Sequence, residues 1–196
     1  MNDDGDVVRR AIDYALSAVD AVTPDLLSRP TPCAKWSLRM LLEHACESVA
    51  ALEEGLEAGR VGLFPAADDE PLGDPIQLLR LRLTRLRDSW SATSEQRIVA
   101  VADQQMPLSL LAGAAALEIA AHAWDIFQTS GPALPIPPGL AAELLARAPQ
   151  LLPEDARHRL FAPPVSASEP DEAGDELLAL LGRSPADAAI TRTEST

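Results

Sequence analysis

Glu118 and His122 stand four residues apart in the stretch Leu110-Leu-Ala-Gly-Ala-Ala-Ala-Leu-Glu-Ile-Ala-Ala-His-Ala-Trp-Asp-Ile-Phe127. Residues at i and i+4 of a helix project from one face, a turn apart. Leu111, Ala115 and Ile126 share that face, which therefore reads as a buried stripe. A carboxylate and an imidazole are costly in such a stripe unless something pairs with them. A divalent metal ion is one partner that satisfies both, and a hydrogen bond open to solvent is the plainer one. A third candidate, His44, falls at the edge of the apolar stripe of another helix. Two imidazole nitrogens and one carboxylate oxygen suit zinc and also nickel or other transition metals. Three protein ligands leave at least one position open, as catalytic rather than structural sites do. Asp125, three residues beyond His122, has the type to accept a proton from an imidazole and so orient it. It could equally cap backbone groups or face solvent. His158, between Arg157 and Arg159, reads as a surface residue.

Apolar spacing places these side chains on helices. Val7, Val8, Ala11, Ala15, Leu16 and Val19 predict a first helix over Asp6–Val22, stopped by Thr23-Pro24. Arg29 to Trp36 carries two prolines in three residues and predicts an extended loop. Cys33 and Trp36 in that loop could line a pocket; packing over one end of the bundle is the preferred reading. Ser37 is placed to cap a second helix over Leu38–Ala58, with Leu38, Leu42, Ala45, Val49, Leu52 and Leu56 inward. Gly59 to Gly73, with its acidic cluster Asp68-Asp-Glu70, reads as a mobile loop. Asp74-Pro75 opens a third helix, Ile76 to Ser91, whose arginines form a solvated face. Residues 92–107 are ambiguous, with Arg97–Val101 a short strand or an extended crossing. The fourth helix, Leu108–Thr129, holds Glu118 and His122 and stops at Ser130-Gly131-Pro132. A fifth covers Gly139–Ala148, Arg159–Val165 lies extended on the bundle, and Glu172–Leu181 forms a short last helix ended by Gly182. The predicted architecture is all-α: four principal helices in a bundle, short additional helices and an extended C-terminal segment. Residues 1–185 form one metal-binding domain and 186–196 a flexible tail.

Composition narrows the partners. The 196 residues carry 30 acidic and 16 basic side chains, a net charge of -14. Nucleic acid and anionic membranes need a positive face, so both are disfavoured. No apolar run approaches the ~20 residues of a membrane span, and the acidic N-terminus is unlike a secretory signal. A cytoplasmic protein is expected, with Cys33 and Cys46 reduced. A homodimer through exposed helix faces is a further expectation.

Two motifs resemble one family. Thr31-Pro-Cys-Ala-Lys-Trp-Ser-Leu-Arg-Met-Leu-Leu-Glu-His44 is similar to the stretch that opens the second helix of the mycothiol-dependent maleylpyruvate isomerase N-terminal domain, of the DinB-like superfamily. Leu117-Glu-Ile-Ala-Ala-His-Ala-Trp-Asp-Ile-Phe-Gln-Thr-Ser-Gly131 resembles its second signature, with Ser130 inserted between Thr129 and Gly131. Phe161-Ala-Pro-Pro-Val165 and Leu177 to Pro185 are similar to the closing segments of single-domain actinobacterial members. The resemblance implies a DinB-like four-helix bundle that binds a divalent metal, commonly zinc, at His44, Glu118 and His122. It also implies mycothiol as the thiol that the metal activates for transfer or isomerisation. Only 46 residues follow Gln150, too few for the isomerase's second, sterol-carrier-like domain. The leading expectation is a metal-dependent thiol transferase or isomerase acting on a small electrophile. The alternatives are a non-catalytic metal-binding protein and a metal-dependent hydrolase.

Overall fold

A computed structural model describes residues 3–33, 35–62, 73–90, 97–102, 104–152, 161–166 and 172–184. Its principal helices are α1 (Asp3–Asp20), α2 (Leu38–Ala58), α3 (Pro75–Trp90) and α4 (Leu108–Ser130). Two smaller helices, α5 (Pro138–Leu151) and α6 (Ala173–Leu180), and a 3-10 turn over Pro24–Leu26 complete the helical set among the described residues. Helix α1 packs against α4 and α3, and α2 packs against α3 and α4, closing a four-helix bundle. Helix α5 lies against α4 and α1 and carries α6.

Local chemistry sets the helix ends. The Ser37 hydroxyl accepts from the Met40 N–H at 3.4 Å and caps α2, while Gly59, at φ 70°, ends it. Asp74 Oδ1 accepts from the Ile76 N–H at 3.0 Å at the start of α3. Helix α1 begins earlier and ends earlier than its apolar spacing predicts, since its first acidic turn is also helical.

A three-stranded sheet corrects one expectation and decides another that was open. Strand β1 (Arg60–Val61) pairs in parallel with β2 (Ile98–Val101), which pairs antiparallel with β3 (Gln104–Pro107). Residues 60–61 are thus ladder rather than loop, and of the two alternatives for residues 97–101 the strand holds, over Ile98–Val101. Backbone bonds from Ala100 N–H to Gly59 O (2.9 Å) and from Ala102 N–H to Val61 O (3.1 Å) hold the parallel pair. The sheet has a positional consequence. Strand β1 leaves the C-terminal end of α2, and β3 enters the N-terminal end of α4, so the two helices run antiparallel. Gly55 beside Leu111 marks one end of their contact, and His44 beside Glu118 marks the other.

Helix α4 is buried on nearly every side, not along one stripe. By length and composition it could cross a membrane: it has 23 residues, a mean hydropathy of 1.4 in its most apolar window, and 78% of that window buried in the protein. That burial marks it as the central helix of the bundle core. It also sharpens the energetic problem of its polar residues. The arginines of α3 reach carboxylates on neighbouring helices: Arg80 to Asp20 (2.7 Å), Arg87 to Asp13 (3.1 Å) and Arg82 to Glu53 (3.4 Å). They brace α3 against α1 and α2, and solvent keeps the outer two pairs weak.

The C-terminal part is tied down by α6. Val165 N–H donates to Ala179 O at 3.0 Å, holding the expected extended segment beside the helix. Gly182 ends α6 at φ 73°. A Cβ there would stand 2.7 Å from the Pro163 carbonyl and 2.8 Å from that of Ala162. Gly182→Ala should therefore cost about 1–3 kcal/mol in denaturant unfolding; wild-type stability would contradict this packing. His158, the Asp68–Glu70 cluster and the expected tail at 186–196 lie outside the described residues.

Candidate metal centre

The antiparallel α2–α4 pair brings His44, Glu118 and His122 together. His44 Nε2 lies 3.1 Å from Glu118 Oε1, and His122 Nε2 lies 3.1 Å from the same oxygen. Tetrahedral zinc, with bonds near 2.1 Å, separates its ligand atoms by about 3.0–3.5 Å. The two imidazoles meet nearly edge to face, with centroids 5.1 Å apart and planes at 86°. Both nitrogens thus turn to one carboxylate oxygen from different helices. The His44 and Glu118 side chains keep 34% and 30% of their surface exposed, against 11% for His122. The group is therefore partly reachable from solvent, through His44 and Glu118 more than through His122.

Behind His122 the chain is polar and closed. His122 Nδ1 lies 3.0 Å from Asp125 Oδ2, and Asp125 is fully buried. An Nδ1–H donated to Asp125 leaves the Nε2 lone pair directed at the candidate site. Asp125 also accepts two bonds from Arg183, Nε to Oδ1 at 2.9 Å and Nη2 to Oδ2 at 2.7 Å. The Cys33 thiol donates to Asp125 Oδ2 at 3.1 Å.

These contacts set the charges. Burial alone would raise the Glu118 carboxyl, but bonds from His122 and His44 outweigh it and hold the group well below the carboxylate range. Burial opposes charge on His122 as well, yet Asp125, Cys33 and Glu118 raise it well above its ordinary value of 6.5. Asp125 stays low despite burial because Arg183 faces it. Burial pushes the Cys33 thiol up, so Cys33 is a neutral thiol at neutral pH rather than a nucleophile.

Cys33, His122 and Asp125 also lie close enough to form a ligand group. That group already has its cation, because the Arg183 fork occupies both Asp125 oxygens. Among the described residues no arginine or lysine pairs with the group His44–Glu118–His122, and its donor set fits a divalent metal. Metal binding there must displace the proton that His122 carries. Below the raised His122 value, affinity should therefore climb with pH, about tenfold per pH unit for each proton released on binding. Chelator competition at several pH values reads this, and a flat profile would contradict it.

Cys33 and Trp36 take the pocket-lining alternative rather than the preferred end-of-bundle packing. The Thr31–Trp36 turn is closed by Thr31 N–H to Trp36 O (3.0 Å) and Trp36 N–H to Cys33 O (3.0 Å). It sets the Trp36 ring 4.8 Å from His44 and 6.4 Å from His122, centroid to centroid. The loop is a wall of the site rather than a lid on one end of the bundle. On the inner flank of Glu118 and His122 runs an apolar cavity lined by Ala15, Ala45, Val49, Leu83 and Ile126. Sequence reasoning missed Arg183; the one available signal was a glycine stop followed by a lone cation after α6.

Comparisons with known proteins bear on the family of the chain. The family model described as the mycothiol maleylpyruvate isomerase N-terminal domain matches residues 8–127, more than half of the chain. Two uncharacterized proteins of Mycobacterium tuberculosis are similar over most of their length, one from strain CDC 1551 / Oshkosh and one from strain H37Rv. Each is 26% identical over 186 residues, covering 89% of this chain and 94% of the relative. No solved structure gives a significant match.

Proposed function

Because the chain belongs to the mycothiol maleylpyruvate isomerase N-terminal domain family, we propose that it binds one divalent metal through His44, Glu118 and His122 and acts on a small electrophilic substrate. Zinc is the first choice and nickel or another transition metal the next. The observation that carries this reading is the convergence of two Nε2 atoms on one Glu118 oxygen, with part of the group open to solvent. A structural site would be closed over by a fourth protein ligand, so a non-catalytic role fits less well.

When bound, such a metal lowers the pKa of a coordinated thiol or water toward neutrality. Mycothiol, or a thiol like it, is the proposed co-reactant, and thiol transfer or thiol-assisted isomerisation the proposed reaction class. The residues supply the surroundings. Glu118, held ionised, lowers the net charge of the centre. Asp125 keeps the His122 ring in place and its proton away from the ligand atom. Trp36 walls the open side, and the apolar cavity suits the hydrocarbon part of a small substrate. Hydrolysis by a coordinated water uses the same three residues and is the second reading. The acidic surface supports a small-molecule partner rather than nucleic acid or membrane, and a cytoplasmic setting supplies reduced thiols. Homodimerisation remains part of the proposal.

The test is spectroscopic. Cobalt-loaded protein titrated with mycothiol should gain a sulfur-to-metal charge-transfer band in the near ultraviolet. Retention of cobalt with no such band would overturn the thiol reading and favour the hydrolytic one.

A further inference from the structure

We propose that Arg183 is a positioning residue for the metal centre, which makes the C-terminal segment part of the site. The inference rests on the metal reading above and extends it beyond the matched residues 8–127. Arg183 lies 58 residues from Asp125 in sequence, yet grips it as a fork, Nε on Oδ1 at 2.9 Å and Nη2 on Oδ2 at 2.7 Å. The Asp125 side chain has no exposure and that of Arg183 has 10%. A carboxylate held by one donor can turn about its Cβ–Cγ bond; held by a planar fork it cannot. The fork fixes the carboxylate plane and so aims Oδ2 at His122 Nδ1, 3.0 Å away. Its orientation decides where the opposite nitrogen, Nε2, points.

Arg183 is itself well anchored. The Arg183 N–H donates to Leu178 O at 2.8 Å, and the Gly182 N–H to Ala179 O at 3.1 Å, closing the end of α6. Nη1 donates to Leu181 O at 3.2 Å, and the guanidinium lies 5.8 Å from the Phe161 ring centroid. The path from α6 to the candidate ligand is therefore continuous: helix end, arginine, aspartate, imidazole.

Arg183→Lys tests this while keeping the buried charge balanced. Zinc affinity, read by competition with a chromophoric chelator, should fall about 10-fold or more, the usual effect of losing an outer hydrogen-bond partner. Combined with Asp125→Asn, the two losses should fail to add, because both act through one contact. In metal-free protein, the ring-nitrogen NMR signals of His122 should shift in Arg183→Lys. Unchanged zinc affinity and unchanged His122 signals, with only a lower melting temperature, would overturn the proposal and leave a structural salt bridge. A wild-type chain that binds no zinc would overturn the metal reading instead. The His122 signals would then decide by themselves whether Arg183 orients the ring.

Discussion

His122→Ala should weaken zinc binding on the order of a thousandfold. Structural zinc in small peptides contributes ~12 kcal/mol, so one of three protein ligands carries about 4 kcal/mol, roughly three factors of ten. The fold should survive the change. Alanine already fills most of α4 around that position, and Asp125 keeps its Arg183 partner. The variant thus separates metal loss from unfolding, with circular dichroism and chelator competition run on the same sample. Affinity within a few-fold of wild type would mean that His122 is not a ligand.

Asp125→Ala should have the largest effect on stability. It strips the Arg183 guanidinium, buried beside Cys33 and His122, of its only carboxylate among the described residues. Breaking a buried pair from one side costs about 3–5 kcal/mol, because the surviving charge is left without compensation. Urea unfolding of the metal-free protein measures it. Asp125→Asn keeps the volume and one acceptor oxygen, so it should lose less. A loss under about 1 kcal/mol for Asp125→Ala would mean that Arg183 finds water or another partner. The two variants make opposite patterns: His122→Ala loses metal with little stability, whereas Asp125→Ala loses much stability and part of its metal affinity.

Some of this was readable from the residues alone. Ser37 and Gly59 bracket α2 because capping is a local matter, decided within four residues. Glu118 and His122 stand out because two polar groups interrupt a long apolar run, and His44 follows from the stripe of α2. Of the short strands, β2 was raised only as one of two alternatives and β1 and β3 did not show, since two to four residues cannot display a period and β1 is paired by residues about forty positions away. Cys33 and Trp36 were placed by a proline-rich turn whose path over His44 depends on tertiary packing. Arg183 was the least visible. Its role is set by Asp125 on another element, and the lone cation after the Gly182 stop does not say which carboxylate it meets.

The most direct test of the central claim is the X-ray absorption spectrum of the zinc-loaded protein without added thiol. The account predicts nitrogen and oxygen neighbours only, at about 2.0–2.2 Å, including the scattering pattern of two imidazoles. A sulfur neighbour at about 2.3 Å would put the ion in the group of Cys33, His122 and Asp125 and contradict the assignment of His44 and Glu118.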